Sequence, residues 1–132
     1  MNVIADTCIW SAALRRKSTD QDITEKLVDL ITHNRIVMLG PIRQELLSGI
    51  TDKKQFEQIR NHLAAFDDFP ITTIHYETAA TFYNKCRLKG IQGSHIDFLI
   101  CAVSAVENLL LYTLDKDFNH YKKHLDVHLM AN

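Results

Sequence analysis

Short apolar runs alternate along this chain with longer segments in which apolar positions recur every three or four residues. The first run falls within residues 2–5 and stops at Asp6-Thr7, which suits a buried strand with a polar C-terminal end. A short helix is predicted over 10–16 and a longer one over 20–33. In the longer one Ile23, Leu27, Leu30 and Ile31 share a face, while Asp20, Asp22 and Glu25 lie toward its N-terminal end, where acids complement the helix dipole. A second apolar run, Ile36-Val37-Met38-Leu39, is closed by Gly40-Pro41. This predicts a strand and then a helix, since proline suits the first helical position. That helix carries Glu45 and ends near Gly49. Amphipathic spacing predicts further helices over 52–67, through Phe56, Ile59, Leu63 and Phe66, and over 76–88, before Gly90, with a short strand over 70–74 between them. Ser94 opens a helix through residue 106 whose body, from 98 onward, is uncharged. It is expected to be central and buried on most sides. A strand over 109–113, a helix over 118–124 and a strand over 127–130 complete the pattern.

Uniformly apolar strands alternating with helices indicate a parallel sheet covered on both faces. The expected fold is a single three-layer α/β domain, residues 1–132, with a central, mostly parallel sheet flanked by helices. A chain of 132 residues buries roughly two-thirds of its unfolded surface, enough for one core without staples. The composition, 46% hydrophobic and 23% charged with a net charge of -1, is that of an ordinary soluble globular protein. Charge-free apolar stretches are shorter than the ~18 to 20 residues of a membrane span, and Met1 is not followed by a basic and then an apolar leader segment. A cytoplasmic protein with no membrane association is expected. Cys8, Cys86 and Cys101 are odd in number and never spaced Cys-x-x-Cys. They are expected to be small buried hydrophobes rather than a disulfide framework or a thiolate zinc site.

In parallel sheets of this kind, sites lie beyond the carboxyl ends of the strands. Asp6 follows the first strand and Asp115 the strand over 109–113, while Glu45 and Asp97 stand on early helical turns. Each acid also has a plain local explanation. Asp6 or Thr7 can cap the following helix, Glu45 can be an exposed helical residue, Asp97 lies at capping-box spacing from Ser94, and Asp115 or Asp117 can cap the last helix. Jointly they are more informative. Four acids converging in one cleft repel each other and take up protons unless a cation neutralises them. All-oxygen donors without cysteine favour Mg²⁺ or Mn²⁺ over zinc, and such ions serve phosphodiester hydrolysis. Other constellations are weaker. His120, His124 and His128 are spaced by four, but the expected break near Leu125 separates the last from the others. His95, two residues from Asp97, is expected to be exposed. Cys8 lacks the arginine six positions later that a phosphatase nucleophile requires, because position 14 is Leu, and position 8 is not the second Asp of a haloacid-dehalogenase-type phosphatase.

Asp6-Thr7 at the first strand end, Glu45 within the Pro41-to-Gly49 segment, the Ile-Asp-Phe-Leu-Ile-Cys-Ala helix around Asp97, and Thr113-Leu-Asp-Lys-Asp-Phe118 together resemble a PIN-domain ribonuclease. More specifically, they resemble the VapC-type toxins of type II toxin-antitoxin pairs. The likeness covers nearly the whole chain. It implies a PIN-like fold and a metal-dependent endoribonuclease using Mg²⁺ or Mn²⁺, usually dimeric and inhibited by a small VapB-type antitoxin. Carried across by position, Asp6, Glu45, Asp97 and Asp115 would be the metal-coordinating quartet, with Asp117 as the alternative fourth acid. Thr7 and Thr113 would be supporting hydroxyls. The alternative is a non-catalytic PIN-like or receiver-like α/β binding module. A receiver usually pairs two acids after its first strand, and here Ala5 precedes Asp6. Because the chain is nearly neutral, binding RNA would require local basic patches. Arg15, Arg16 and Lys17 are the first candidates, followed by Lys85, Arg87 and Lys89, and by Lys122 and Lys123.

Overall fold

Val3, Ile4 and Ala5 are wholly buried and form β1 (Val3–Ala5), the strand around which the sheet is built. In this computed structural model, which describes residues 1–14 and 21–131, β1 is flanked by β2 (Ile36–Val37) and β3 (Leu110–Tyr112), and β4 (His128–Leu129) lies outside β3. The order is β2-β1-β3-β4, and all three pairings are parallel. Strands covered on both faces have no need of polar alternation, which is why they read as continuous apolar runs.

Register decides what stands at the carboxyl edge. Val3 lies opposite both Ile36 and Leu110, and Ala5 lies opposite Tyr112. The chain leaves β1 and β3 in step, and the Asp6 N–H donates to the Tyr112 carbonyl at 2.9 Å. Asp6 and Thr113 therefore emerge side by side.

The helices are α1 (Thr7–Leu14), α2 (Gln21–Thr32), α3 (Gly40–Leu47), α4 (Lys53–Leu63), α5 (Thr73–Leu88), α6 (His95–Glu107) and α7 (Asp117–Lys122). As expected, α6 is the central helix, with Phe98, Ile100, Cys101, Ala102, Val103 and Ser104 all buried. It packs on α5, and His75 near the start of α5 is hydrogen-bonded through Nε2 to Glu107 Oε2 at 2.8 Å. None of the helices among the described residues is long and apolar enough to cross a membrane.

Three sequence expectations need correction. Residues 70–74 do not form a strand. The parallel bridge on this side joins Asp68 to Met38, and the Phe69 N–H donates to the Met38 carbonyl. Pro70 has no N–H to extend a ladder, and the reciprocal cap between Thr72 and His75 draws Thr73 and Ile74 into α5, ahead of the expected start at 76. The first helix begins at Thr7 rather than 10, because the Asp6 carbonyl accepts the N–H groups of Ile9 and Trp10. Finally, Cys86 and Cys101 are buried as expected, but Cys8 is only half-buried and has polar contacts.

Candidate active site

Asp6 is 9% exposed, and both of its carboxylate oxygens are hydrogen-bonded. Oδ1 accepts the Thr7 N–H and Oδ2 accepts the Thr113 hydroxyl, each at 2.8 Å. The same Thr113 oxygen accepts the Asp115 N–H at 3.0 Å, so one hydroxyl ties the acid after β1 to the loop after β3. Cys8 fills the corner. Its Sγ accepts the Leu114 N–H at 3.3 Å and lies 3.6 Å from Thr113 Oγ1 and 3.9 Å from Asp6 Oδ2. Burial pushes the Cys8 thiol up. The sulfur therefore acts here as a neutral hydrogen-bonding group rather than a nucleophile.

Glu45 is exposed on α3, between Ile42 and Leu46, whose side chains face the core. The helix is held by Arg43, whose Nε donates to Asp68 Oδ1 at 2.9 Å and whose Nη1 donates to the Leu63 carbonyl at 3.0 Å. Nη2 of Arg43 donates to the Phe66 carbonyl. Asp97 is half-buried in the first turn of α6. The capping box is present as its spacing predicted: the Asp97 N–H donates to Ser94 Oγ at 3.0 Å, and Asp97 Oδ2 accepts the Ser94 N–H at 3.3 Å. The cap does not use up this acid, since Oδ2 also accepts the Tyr121 hydroxyl at 3.2 Å.

The electrostatics link Asp6 with two of the other acids. Burial raises the Asp6 carboxyl above its usual range, and the charges of Asp97 and Glu45 raise it further against the lowering effect of its two hydrogen bonds. Asp6, Asp97 and Glu45 thus share one field. The Tyr121 phenol is pushed up by burial first, then by Asp97 and by the charges of Asp117 and Asp115. Asp97, Asp115 and Asp117 therefore all act on the same hydroxyl. Asp115 also has the link through Thr113, and its Oδ1 accepts the Asp117 N–H at 2.9 Å. Both are exposed.

Among the described residues, no three His, Cys, Asp or Glu side chains close into a ready-made metal cage. The oxygen donors nevertheless fit a hard divalent ion. Mg²⁺ retains several waters and is typically held by only one or two carboxylates, and the buried, repelled Asp6 is the kind of group that a cation stabilises.

Arg15, Arg16 and Lys17 lie outside the described residues. Arg87 is packed over the Tyr83 ring, 5.6 Å from its centroid. Lys116 and Lys122 line a cavity of about 550 Å³ that also contains Thr113 and Asp115. His95 is exposed as expected, stacked on Tyr83 at 4.9 Å. His120 lies on α7 and His128 on β4, so the four-residue histidine spacing spans two elements. Tyr121 and the polar role of Cys8 carry no signal in the sequence, because each meets its partners only through tertiary contacts.

The family comparison matches residues 3–124 to the PIN domain. Solved structures similar to this chain include VapBC2 from Rickettsia felis bound to a DNA fragment from their promoter, with TM-score 0.80, 18% identity and 98% of each chain covered. FitAcB from Neisseria gonorrhoeae is similar at TM-score 0.79 and 18% identity, over 98% of this chain and 96% of that one. VapBC-1 from nontypeable Haemophilus influenzae is similar at TM-score 0.73 and 14% identity, over 98% and 97%. No curated protein matches the chain in sequence. The match over nearly its whole length sets aside the receiver-like alternative, and the chain belongs to the PIN domain family.

Proposed function

We propose that this chain is a Mg²⁺- or Mn²⁺-dependent endoribonuclease, the toxin of a toxin-antitoxin pair, working as a homodimer and inhibited by a VapB-type antitoxin. The observation that carries the catalytic part is the joint field of Asp6, Glu45 and Asp97 at the carboxyl edge of the sheet, where burial and repulsion raise Asp6. PIN family membership and the likeness to VapBC structures support the nuclease and the antitoxin partner.

Asp6 and Asp97 would hold the cation directly, with Glu45 and Asp115 completing its surroundings directly or through water. Bound there, a divalent ion supplies charge neutralisation, polarisation of the phosphodiester and a more acidic attacking water. The chain's own contribution is positional. Thr113 and the Thr7 N–H fix the two oxygens of Asp6. Glu45 and Asp115, being exposed, would be free to orient the attacking water, and no covalent enzyme intermediate is expected.

The test is cleavage of a mixed cellular RNA pool by the purified chain with Mg²⁺, Mn²⁺ or EDTA, with Asp6→Asn prepared in parallel. Discrete metal-dependent fragments from the native chain alone are expected. Equal cleavage by both preparations overturns the role of Asp6. Silence from both, with folded protein, favours a non-catalytic PIN-like binding role.

A further inference from the structure

Tyr121 is 1% exposed, with its ring packed against Phe98 and Phe118 at centroid separations of 5.0 and 5.1 Å. A phenylalanine would fill that space equally well, so the buried hydroxyl calls for a partner. It has two acceptors, Asp97 Oδ2 at 3.2 Å and the Gln92 carbonyl at 3.4 Å. With one proton to give, the charged and nearer acceptor is favoured. Both hydrogen bonds to the Asp97 carboxylate, from Tyr121 Oη and from the Ser94 N–H, fall on Oδ2. Among the described residues, none donates to Oδ1.

Gly93 completes the arrangement. A Cβ at this position would stand 2.5 Å from the Tyr121 hydroxyl oxygen, 2.9 Å from Tyr121 Cζ and 2.9 Å from Phe98 Cε2. The rings hold one another in place, so the hydroxyl can reach Asp97 only because residue 93 has no side chain.

We infer that Tyr121 is a positioning residue for the metal site: together with the Ser94 N–H it occupies Asp97 Oδ2 and leaves Oδ1 as the oxygen offered to the cation, with Gly93 providing the clearance. This rests on the reading of Asp6 and Asp97 as metal-holding acids. Outer partners of this kind orient a ligating carboxylate and typically contribute 10- to 100-fold to metal affinity.

The test is Mn²⁺ affinity, measured by calorimetry on the RNA-free protein, for the native chain, Tyr121→Phe, Gly93→Ala and Asp97→Asn, with thermal unfolding in EDTA alongside. Tyr121→Phe keeps the ring and should bind Mn²⁺ about 10- to 100-fold more weakly while its unfolding temperature in EDTA stays close to that of the native chain. Gly93→Ala displaces the hydroxyl without removing the ring and should weaken Mn²⁺ binding in the same direction; it decides the matter if Tyr121→Phe fails to fold. Native affinity in Tyr121→Phe, or in Gly93→Ala where that variant decides, combined with lost affinity in Asp97→Asn overturns the inference and leaves the metal site standing. Native affinity in Asp97→Asn overturns the metal reading itself.

Discussion

Asp6 and Glu45 carry the same charge in the same electrostatic cluster, yet they are held in opposite ways. Asp6 sits at the strand end, nearly sealed from solvent, with a donor on each oxygen and a position dictated by the β1–β3 register. Glu45 sits on a clamped helix, exposed, with a longer side chain that has no hydrogen bond from the described residues. One side of the site is therefore pre-built and electrostatically strained before any ligand arrives. The other is adjustable, and reaching a ligand costs it only the ordering of one exposed side chain. On the proposed reading, a cation would relieve the first side and recruit the second.

Removing the anchor should have the largest effect. Asp6→Asn keeps shape and removes charge, and metal-dependent RNA cleavage should fall by more than about 100-fold, beyond what the loss of an outer partner usually costs. Thr113→Val comes next. It removes the donor to Asp6 and the acceptor of the Asp115 N–H together. Mn²⁺ affinity should drop about 10- to 100-fold, with about 1 to 3 kcal/mol of stability lost because a largely buried carboxylate and an N–H are left short. Thr113→Ser should restore most of both, as calorimetry and urea unfolding would show. Glu45→Gln should separate the two sides of the cleft. Cleavage should fall by about 10-fold, while stability stays within about 0.5 kcal/mol, as for an exposed residue with no partner. A loss of stability as large as that of Thr113→Val would mean Glu45 is structural, and the contrast would collapse.

What the sequence makes legible follows the range of the interactions. The strand ending at Asp6 and the Ser94/Asp97 box are local patterns, and both are present at the expected positions. The apolar body of α6 announces its own burial. The start of α5 lies ahead of where the pattern predicts it because a histidine, rather than the usual Glu or Gln, completes the Thr72 cap. Cys8 reads as a small hydrophobe because the groups that make it polar, Thr113 and Leu114, arrive from β3 more than a hundred positions later. Tyr121 looks like one more apolar helix position, and only the fold brings its hydroxyl across 24 residues to Asp97. Acids can be singled out as candidates by their contexts. The groups that orient them cannot, since hydroxyl and thiol side chains carry no periodic signature.

The smallest effect, and the most direct probe of strain at the anchor, is the pH dependence of stability without metal. Burial, aided by Asp97 and Glu45, raises the Asp6 carboxyl in the folded chain above its value in the unfolded one. Between those two values the folded state holds more protons than the unfolded state, so stability falls as pH rises. The contribution of protonated Asp6 is fully present below the ordinary carboxylate range and is lost as pH climbs through the raised value. Denaturant midpoints in EDTA should therefore decline across that window for the native chain and remain flatter for Asp6→Asn. Glu45→Gln should show a slightly gentler decline than the native chain, because it removes the weakest of the causes raising Asp6. Adding Mn²⁺ above the window should recover the loss in the native chain but not in Asp6→Asn. Parallel profiles for the native chain and Asp6→Asn would show that Asp6 is not strained, and the distinction between a pre-built and an adjustable side would lose its electrostatic basis.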